Sequence, residues 1–221
     1  HRTFPDIPLV IGGVEASLRR FAHYDFWSDR IRQSVLADAP ADVLVFGMGE
    51  QQLATLARRA DGGEEIGRIR DIAGTCWKIA PREYARAQDT LSGIVEIPSY
   101  EEVCADPAVF ARAHEVISSN QDPFRGAALL QRHPKTIIVQ NPPALPLTTR
   151  EIDRIYDLSY QRRAHPMYQK PIPGLDPVRF SITSHRGCYG NCSFCALAMH
   201  QGKIIQSRSR ESVIREVERI A

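Results

Sequence analysis

Apolar positions in this chain come in short runs closed by glycine. Leu9-Val10-Ile11 ends at Gly12-Gly13, and residues 43–46 (Val-Leu-Val-Phe) end at Gly47-Met48-Gly49. Runs of this length, apolar at every position, are those of strands buried on both faces. Residues 51–59 follow with Leu53, Leu56 and Ala57 at helical spacing, so strand, glycine turn and helix succeed one another as in a βα unit. The pattern predicts an α/β fold built on a parallel, doubly wound sheet. Residues 61–98 show few clear periods and predict little. Ser99 and Glu102 then have the spacing of a capping box. Asp106-Pro107 places an N-cap and a first-turn proline ahead of Val109, Phe110, Ala113, Val116 and Ile117, which predicts a helix over 107–118. Residues 136–139 read as a strand, Asn141-Pro-Pro-Ala-Leu-Pro146 interrupts regular structure, and Thr148 with Glu151 caps a further helix.

Pro166, Pro171, Pro173 and Pro177 make residues 162–177 an extended linker, separating an amino-terminal domain over 1–161 from a second unit over 178–221. In that second unit Val178, Phe180 and Ile182 alternate with Arg179, Ser181 and Thr183 as a strand would. Ser209 caps a helix with Val213, Ile214, Val217 and Ile220 on one face. So few strands follow that this apolar face is expected to stand exposed. The chain opens at His1 with no signal-peptide pattern and stops at Ile220-Ala221 while the helical spacing continues, which reads as a segment cut at both ends.

Composition narrows the class. With 43% hydrophobic and 24% charged residues in 221 positions, the chain is that of a folded protein rather than a disordered one. No apolar run approaches the ~18 residues of a membrane span, so no membrane is expected among its partners. The net charge of +2 is uneven, because residues 160–221 hold ten Lys and Arg against four Asp and Glu. That basic end reads either as a solvated face or as a surface meeting anions: a carboxylate, an anionic cluster or a nucleic-acid backbone. Gly47-x-Gly49 at a strand end invites a dinucleotide reading, but the third glycine of G-x-G-x-x-G would fall on Gln52.

Five cysteines are an odd number for a disulfide framework. Cys76 and Cys104 stand alone and read as small buried hydrophobes, whereas Cys188, Cys192 and Cys195 crowd into one loop with spacings of four and three. Thiolates so close share a partner, and they must stay reduced to be loaded, so a cytosolic protein is expected. A closed zinc site would need His185 or His200 as a fourth ligand, giving a Cys3His module that could grip nucleic acid with the basic end. Three cysteines would instead leave one iron of a four-iron cube open to substrate, and the spacing favours that cube.

The loop C-x3-C-x-aromatic-C, with Phe194 as the aromatic, resembles the signature of the radical S-adenosylmethionine (SAM) superfamily. Glu15-Ala-Ser-Leu-Arg-Arg-Phe-Ala-His-Tyr24, Gly47-Met-Gly-Glu50, Asn141-Pro-Pro143, Arg186-Gly-Cys-Tyr-Gly-Asn-Cys192 and Gln201-Gly-Lys-Ile-Ile-Gln-Ser-Arg-Ser209 are similar to segments of the YgiQ-type radical SAM proteins. The resemblance implies a [4Fe-4S] cluster on Cys188, Cys192 and Cys195, with its fourth iron chelated by the amino and carboxylate groups of SAM and with Phe194 against the adenine. An external electron donor would drive cleavage to a 5′-deoxyadenosyl radical, which takes hydrogen from a small-molecule or RNA substrate.

The fold it implies is a cobalamin-binding-like sheet domain followed by the start of a partial (β/α)6 barrel. The barrel needs more chain than follows Cys195, and the glycine-rich segment that binds the SAM amino group is expected beyond residue 221. The 221 residues alone are therefore expected to hold iron yet cleave little SAM. They contain no Asp-x-His-x-x-Gly, so a cobalamin role is left undecided.

Overall fold

The structure is a computed structural model that describes residues 3, 6–87, 93–190 and 192–220; His1, Asn191 and Ala221, named above, lie outside the described residues. The chain divides into two compact units, one of His1–Leu145 with Gly190–Lys203, the other of Pro146–Tyr189 with Ile204–Ala221.

The first unit runs β1 (Val10–Ile11), α1 (Gly13–Leu18), β2 (His23–Asp25), β3 (Arg30–Arg32), α2 (Val35–Asp38), β4 (Val43–Val45), α3 (Glu50–Asp61), β5 (Thr75–Ile79), α4 (Pro81–Ala87), β6 (Val95–Glu96), α5 (Tyr100–Ala105), α6 (Pro107–Ser119), β7 (Leu129–Arg132) and β8 (Ile137–Gln140). Six strands form one sheet in the order β1-β4-β5-β8-β7-β6. The α/β class stands, but the expected parallel frame holds only in the outer pairs, β1 with β4 and β6 with β7. The three inner pairings, β4 with β5, β5 with β8 and β7 with β8, are antiparallel. For β7 with β8 the physical reason is local. Only four residues separate β7 from β8, and so short a link joins strands only as a hairpin. Continuous apolar runs report burial on two faces and say nothing of strand direction.

Both faces are indeed covered. Leu44, Cys76, Leu129 and Ile138 point to a core shared with Ala16, Phe21, Leu36 and Ile117. Their sequence neighbours turn the other way, Val43 and Val45 against Leu56 and Ile69, and Trp77, Ile137 and Val139 against Tyr84. Each fully buried side chain of this size contributes about 1.5–3 kcal/mol. The Gly-x-Gly after β4 serves this packing rather than a nucleotide. Gly47 sits at φ +74, and a Cβ on Gly49 would come within 2.7 Å of Val45 Cγ1. The predicted caps are all present: Ser99 with Glu102, Asp106 ahead of Pro107, and, in the second unit, Thr148 with Glu151.

The remaining elements are α7 (Thr149–Tyr156), β9 (His185–Arg186), α8 (Leu197–Gln201, within the first unit), β10 (Gln206–Ser207) and α9 (Arg210–Ile220). The strand expected over 178–183 is not formed. Pro173–Val178 is a 3-10 helix, Val178 and Phe180 are exposed, and pairing begins only at His185, opposite Ser207. Alternation makes a strand only where one face has a sheet to bury against.

The centre of the second unit is ionic. Arg208 is buried over the Tyr156 ring, donates to Glu216, Ser212 and the Thr183 carbonyl, and shares Glu216 with Arg162. Ser212 and Glu216 are thus the buried face of α9. The apolar face expected there stands partly open, with Ile214 43% and Val217 44% exposed. Arg215 and Arg219 both pair with Asp157, so these two bases of the carboxyl end are engaged within this unit.

One buried group makes the first unit sensitive to acid. His133 lies between β7 and β8, stacked on Tyr100 with ring centroids 5.7 Å apart, and neither ring nitrogen has a hydrogen-bond partner among the described residues. Burial pushes its pKa down to about 4. A folded-state pKa below the unfolded value means that the unfolded chain binds the extra proton, so stability is complete above about pH 6.5 and falls as the pH drops towards 4. Urea unfolding at pH 7 and pH 4 should show the wild type losing on the order of 3 kcal/mol more than His133→Leu over that interval. Equal losses would remove His133 as the cause.

Candidate functional site

β9 leads to Gly187 at φ +86, a backbone region glycine enters without steric cost, and the cysteine loop leaves the ladder there. Cys188 is half-buried, and Cys192 and Cys195 are exposed. The last two share one turn, closed by the Cys195 N–H donating to the Cys192 carbonyl at 3.1 Å. The chain then winds into α8 and leaves it at Gly202, φ +83. By the division into units, Cys188 counts with the second and Cys192 and Cys195 with the first.

All five cysteines are free thiols. Among the described residues, no three His, Cys, Asp or Glu side chains are gathered into a group that could hold a metal ion. The donor chemistry fits iron none the less: three unpaired thiols on a loop, two of them presented to solvent on a single turn. The two histidines considered as zinc ligands are placed differently. His185 is exposed with Nδ1 3.0 Å from Ser184 Oγ, while His200 on α8 has Nδ1 2.8 Å from Ser17 Oγ on α1.

Ser17 ties this region of the first unit together. Its Oγ accepts the Gly47 N–H at 3.0 Å, donates to the Gly13 carbonyl at 3.0 Å and meets His200, so α1, the turn after β4 and α8 are joined at one hydroxyl. Asn141 plays a comparable part at the start of β5. Its Nδ2 donates to the Arg70 and Ile72 carbonyls at 3.0 and 2.9 Å, and its Oδ1 accepts from Trp77 Nε1 at 3.3 Å. Both residues lie in segments that carry the YgiQ-type resemblance, and both act here on the backbone.

Beside the cysteine turn, within the first unit, is a cavity of about 610 Å³. Arg20, Phe21, His23 and Tyr24 form one wall, Phe110 and His114 of α6 another, and Cys192, Phe194, Cys195, Met199 and Lys203 a third. Phe194 is 90% exposed and is among the residues that line this cavity. Arg20 is 3% exposed. Nε donates to Gln140 Oε1 at 2.6 Å, Nη1 to the Ser17 carbonyl, and the guanidinium lies 5.0 Å from the Phe46 ring centroid. Burial lowers the Arg20 pKa and holds His23 below the usual imidazole range. Sequence reasoning singled out the third wall alone. The double arginine ahead of Phe21 was the signal for the first, since an arginine one turn beyond buried Ala16 and Ser17 falls on the same helical face.

The family model described as Radical SAM N-terminal matches residues 1–181. The chain belongs to that family. It is similar to UPF0313 proteins: 55% identical over 215 residues to one from Methanocella arvoryzae, covering 97% of this chain and 35% of the relative. A second, from Methanosarcina acetivorans, is 50% identical over 236 residues (98% and 32%), and a third, from Geobacter sulfurreducens, 50% identical over 218 residues (99% and 35%). The chain spans about a third of the length of these curated relatives. No solved structure matches it. Family membership agrees with the YgiQ-type radical SAM resemblance of the sequence. Among the described residues, no helix is long and apolar enough to cross a membrane.

The lone cysteines separate. Cys76 is fully buried in β5 as expected, and burial pushes its thiol up to about 12. Cys104 corrects the expectation: it is exposed on α5, whose buried residue is Val103. At pH 8 a disulfide reagent such as DTNB should therefore label Cys104, Cys192 and Cys195 rapidly and Cys76 only after denaturation. Rapid labelling of Cys76 in the native chain would contradict its place in the core.

Proposed function

We propose that this chain carries the cluster loop of a radical SAM enzyme, with Cys188, Cys192 and Cys195 as thiolate ligands to three irons of a [4Fe-4S] cluster and Phe194 against the adenine of SAM. The observation that carries the reading is a C-x3-C-x2-C loop of free thiols in a chain of the radical SAM N-terminal family. When bound, the cluster supplies the electron that cleaves SAM reductively and so generates a 5′-deoxyadenosyl radical for hydrogen abstraction.

The chain's own residues bind and shield. The three thiols give up their protons on ligation, and the turn that joins Cys192 to Cys195 keeps that pair in register. Phe194 offers a flat apolar face at the cavity, where the fit of a planar base displaces water. The electron comes from an external donor, and the substrate is a small molecule or an RNA. Thiols that must stay reduced to load a cluster support a cytoplasmic reading of the enzyme. In this reading residues 1–161 form the amino-terminal α/β domain, 162–177 a linker and 178–221 the opening of the barrel domain.

Metal content tests the proposal. Anaerobic reconstitution with iron and sulfide should give a brown protein with about four of each per chain. Cys188→Ala, Cys192→Ala or Cys195→Ala should each reduce iron to background, while Cys76→Ala and Cys104→Ala leave it unchanged. Stoichiometric zinc without iron would replace the cluster by the Cys3His alternative.

A further inference from the structure

The cavity beside the cysteine turn holds an electrostatic imbalance. Burying a cation is costly unless an anion answers it. Arg20 is buried, yet its acceptors among the described residues are a neutral amide, Gln140 Oε1, and the Ser17 carbonyl. The same cavity receives His23, His114 and Lys203, and none of its described lining residues is Asp or Glu. The nearby acid Asp25 is engaged elsewhere, with Ser28, Arg19 and Arg32. Four nitrogen-bearing side chains from three separated stretches of chain thus line one space that no described Asp or Glu lines, although Asp25 and Asp38 act on His23 from outside it. Phe21, Phe110 and Phe194 supply flat apolar surface in the same lining, and about 610 Å³ is the volume of a small-molecule site.

We propose that this cavity binds a small organic anion, its carboxylate or phosphate held by Arg20, His23, His114 and Lys203 and its apolar body against Phe21 and Phe110, and that such an anion is the substrate class of the enzyme. The substrate assignment rests on the radical SAM reading above. In that reading the carboxylate of SAM is committed to iron, which leaves these cations for a second molecule. Arg20 makes the strong contact, because a guanidinium already oriented by Gln140 loses little freedom when it meets an oxyanion. His114 and Lys203 are exposed, the lysine adding a second charge and the imidazole a hydrogen-bonding ring.

The test is equilibrium binding of inorganic phosphate and of benzoate to the 221-residue chain, before and after cluster reconstitution, with iron measured in every sample. At least one of the two anions should bind, and the tighter one names the head group. Lys203→Gln and His114→Gln, both at exposed positions, should each weaken binding about 3- to 10-fold, and Arg20→Gln by about 10-fold or more, with iron content unchanged. Arg58→Gln on exposed α3 should bind as the wild type does. Failure of both anions to bind, or wild-type binding by both Lys203→Gln and His114→Gln, would overturn the site. If loading the cluster abolishes anion binding, the cations serve the cluster and the substrate assignment fails. If anions bind and the variants lose them while no iron loads in any sample, the anion site stands and the radical SAM reading falls instead.

Discussion

Residues 43–46 and 137–139 bury nearly every side chain they have, so the sheet that contains them must be covered on both faces. Everything in the first unit follows from meeting that demand. α3 and α4 close one face through Leu56 and Tyr84. The other is closed by α1, α2 and α6 through Ala16, Leu36 and Ile117. The second face is the chemically interesting one. Seating α1 there through Ala16 and Ser17 directs Arg20 to Gln140 at the end of β8, and seating α6 through Ala113 and Ile117 leaves His114 at the cavity. The same seating lets Ser17 reach both the turn after β4 and His200 on α8, so the helix that follows the cysteine turn is tied to the covered face by a side-chain hydrogen bond.

The second unit answers a different constraint. It has two short two-residue strands and few apolar side chains to bury, and its centre is organised by Arg208, Glu216 and Tyr156. A buried ion pair of this kind adds little net stability over an apolar core, because desolvation offsets most of the attraction. Its geometry is nonetheless demanding. Arg208 is held by Glu216, Ser212 and Thr183 together, and Arg186 lies against the other partner, Tyr156, with Nε 3.1 Å from its hydroxyl. Since Arg186 stands two residues before Cys188, the polar centre fixes the strand end from which the loop departs. Arginines that looked in the sequence like an anion-binding tail are in good part the framework of this unit.

What could be read from the sequence was what is local. Caps declare themselves by side-chain chemistry at fixed offsets, so Ser99, Asp106 and Thr148 were legible, as was α6, which ends at Ser119, one residue beyond the expected 118. Cysteine spacing is local too. Strand direction is not, and neither is the membership of β5. Lys78 breaks its apolar run, and only the fold shows the stem buried with Nζ reaching the Leu36 and Ala39 carbonyls at 3.3 and 3.4 Å. The apolar face of α9 stands partly exposed as expected, but the face that is buried instead could not be read from the sequence. Apolar spacing names the face that could be buried, whereas Arg208 selects Ser212 and Glu216. The first wall of the cavity is marked in the sequence only by its paired arginines, and nothing there links it to the cysteines some 170 positions away in the chain.

The identity of residue 140 bears on how that wall works. β8 ends in a buried Gln140, whose Oε1 accepts from Arg20 Nε at 2.6 Å. A glutamate of nearly the same shape would make the same contact and supply the missing negative charge, giving a self-contained buried ion pair. The amide orients the guanidinium without neutralising it. Cys76 does not neutralise it either, since burial pushes that thiol up to about 12, even with Arg20 beside it pulling the other way. Two neutral neighbours leave the buried guanidinium without an anionic hydrogen-bond partner among the described residues, which is the imbalance the proposed anion would answer.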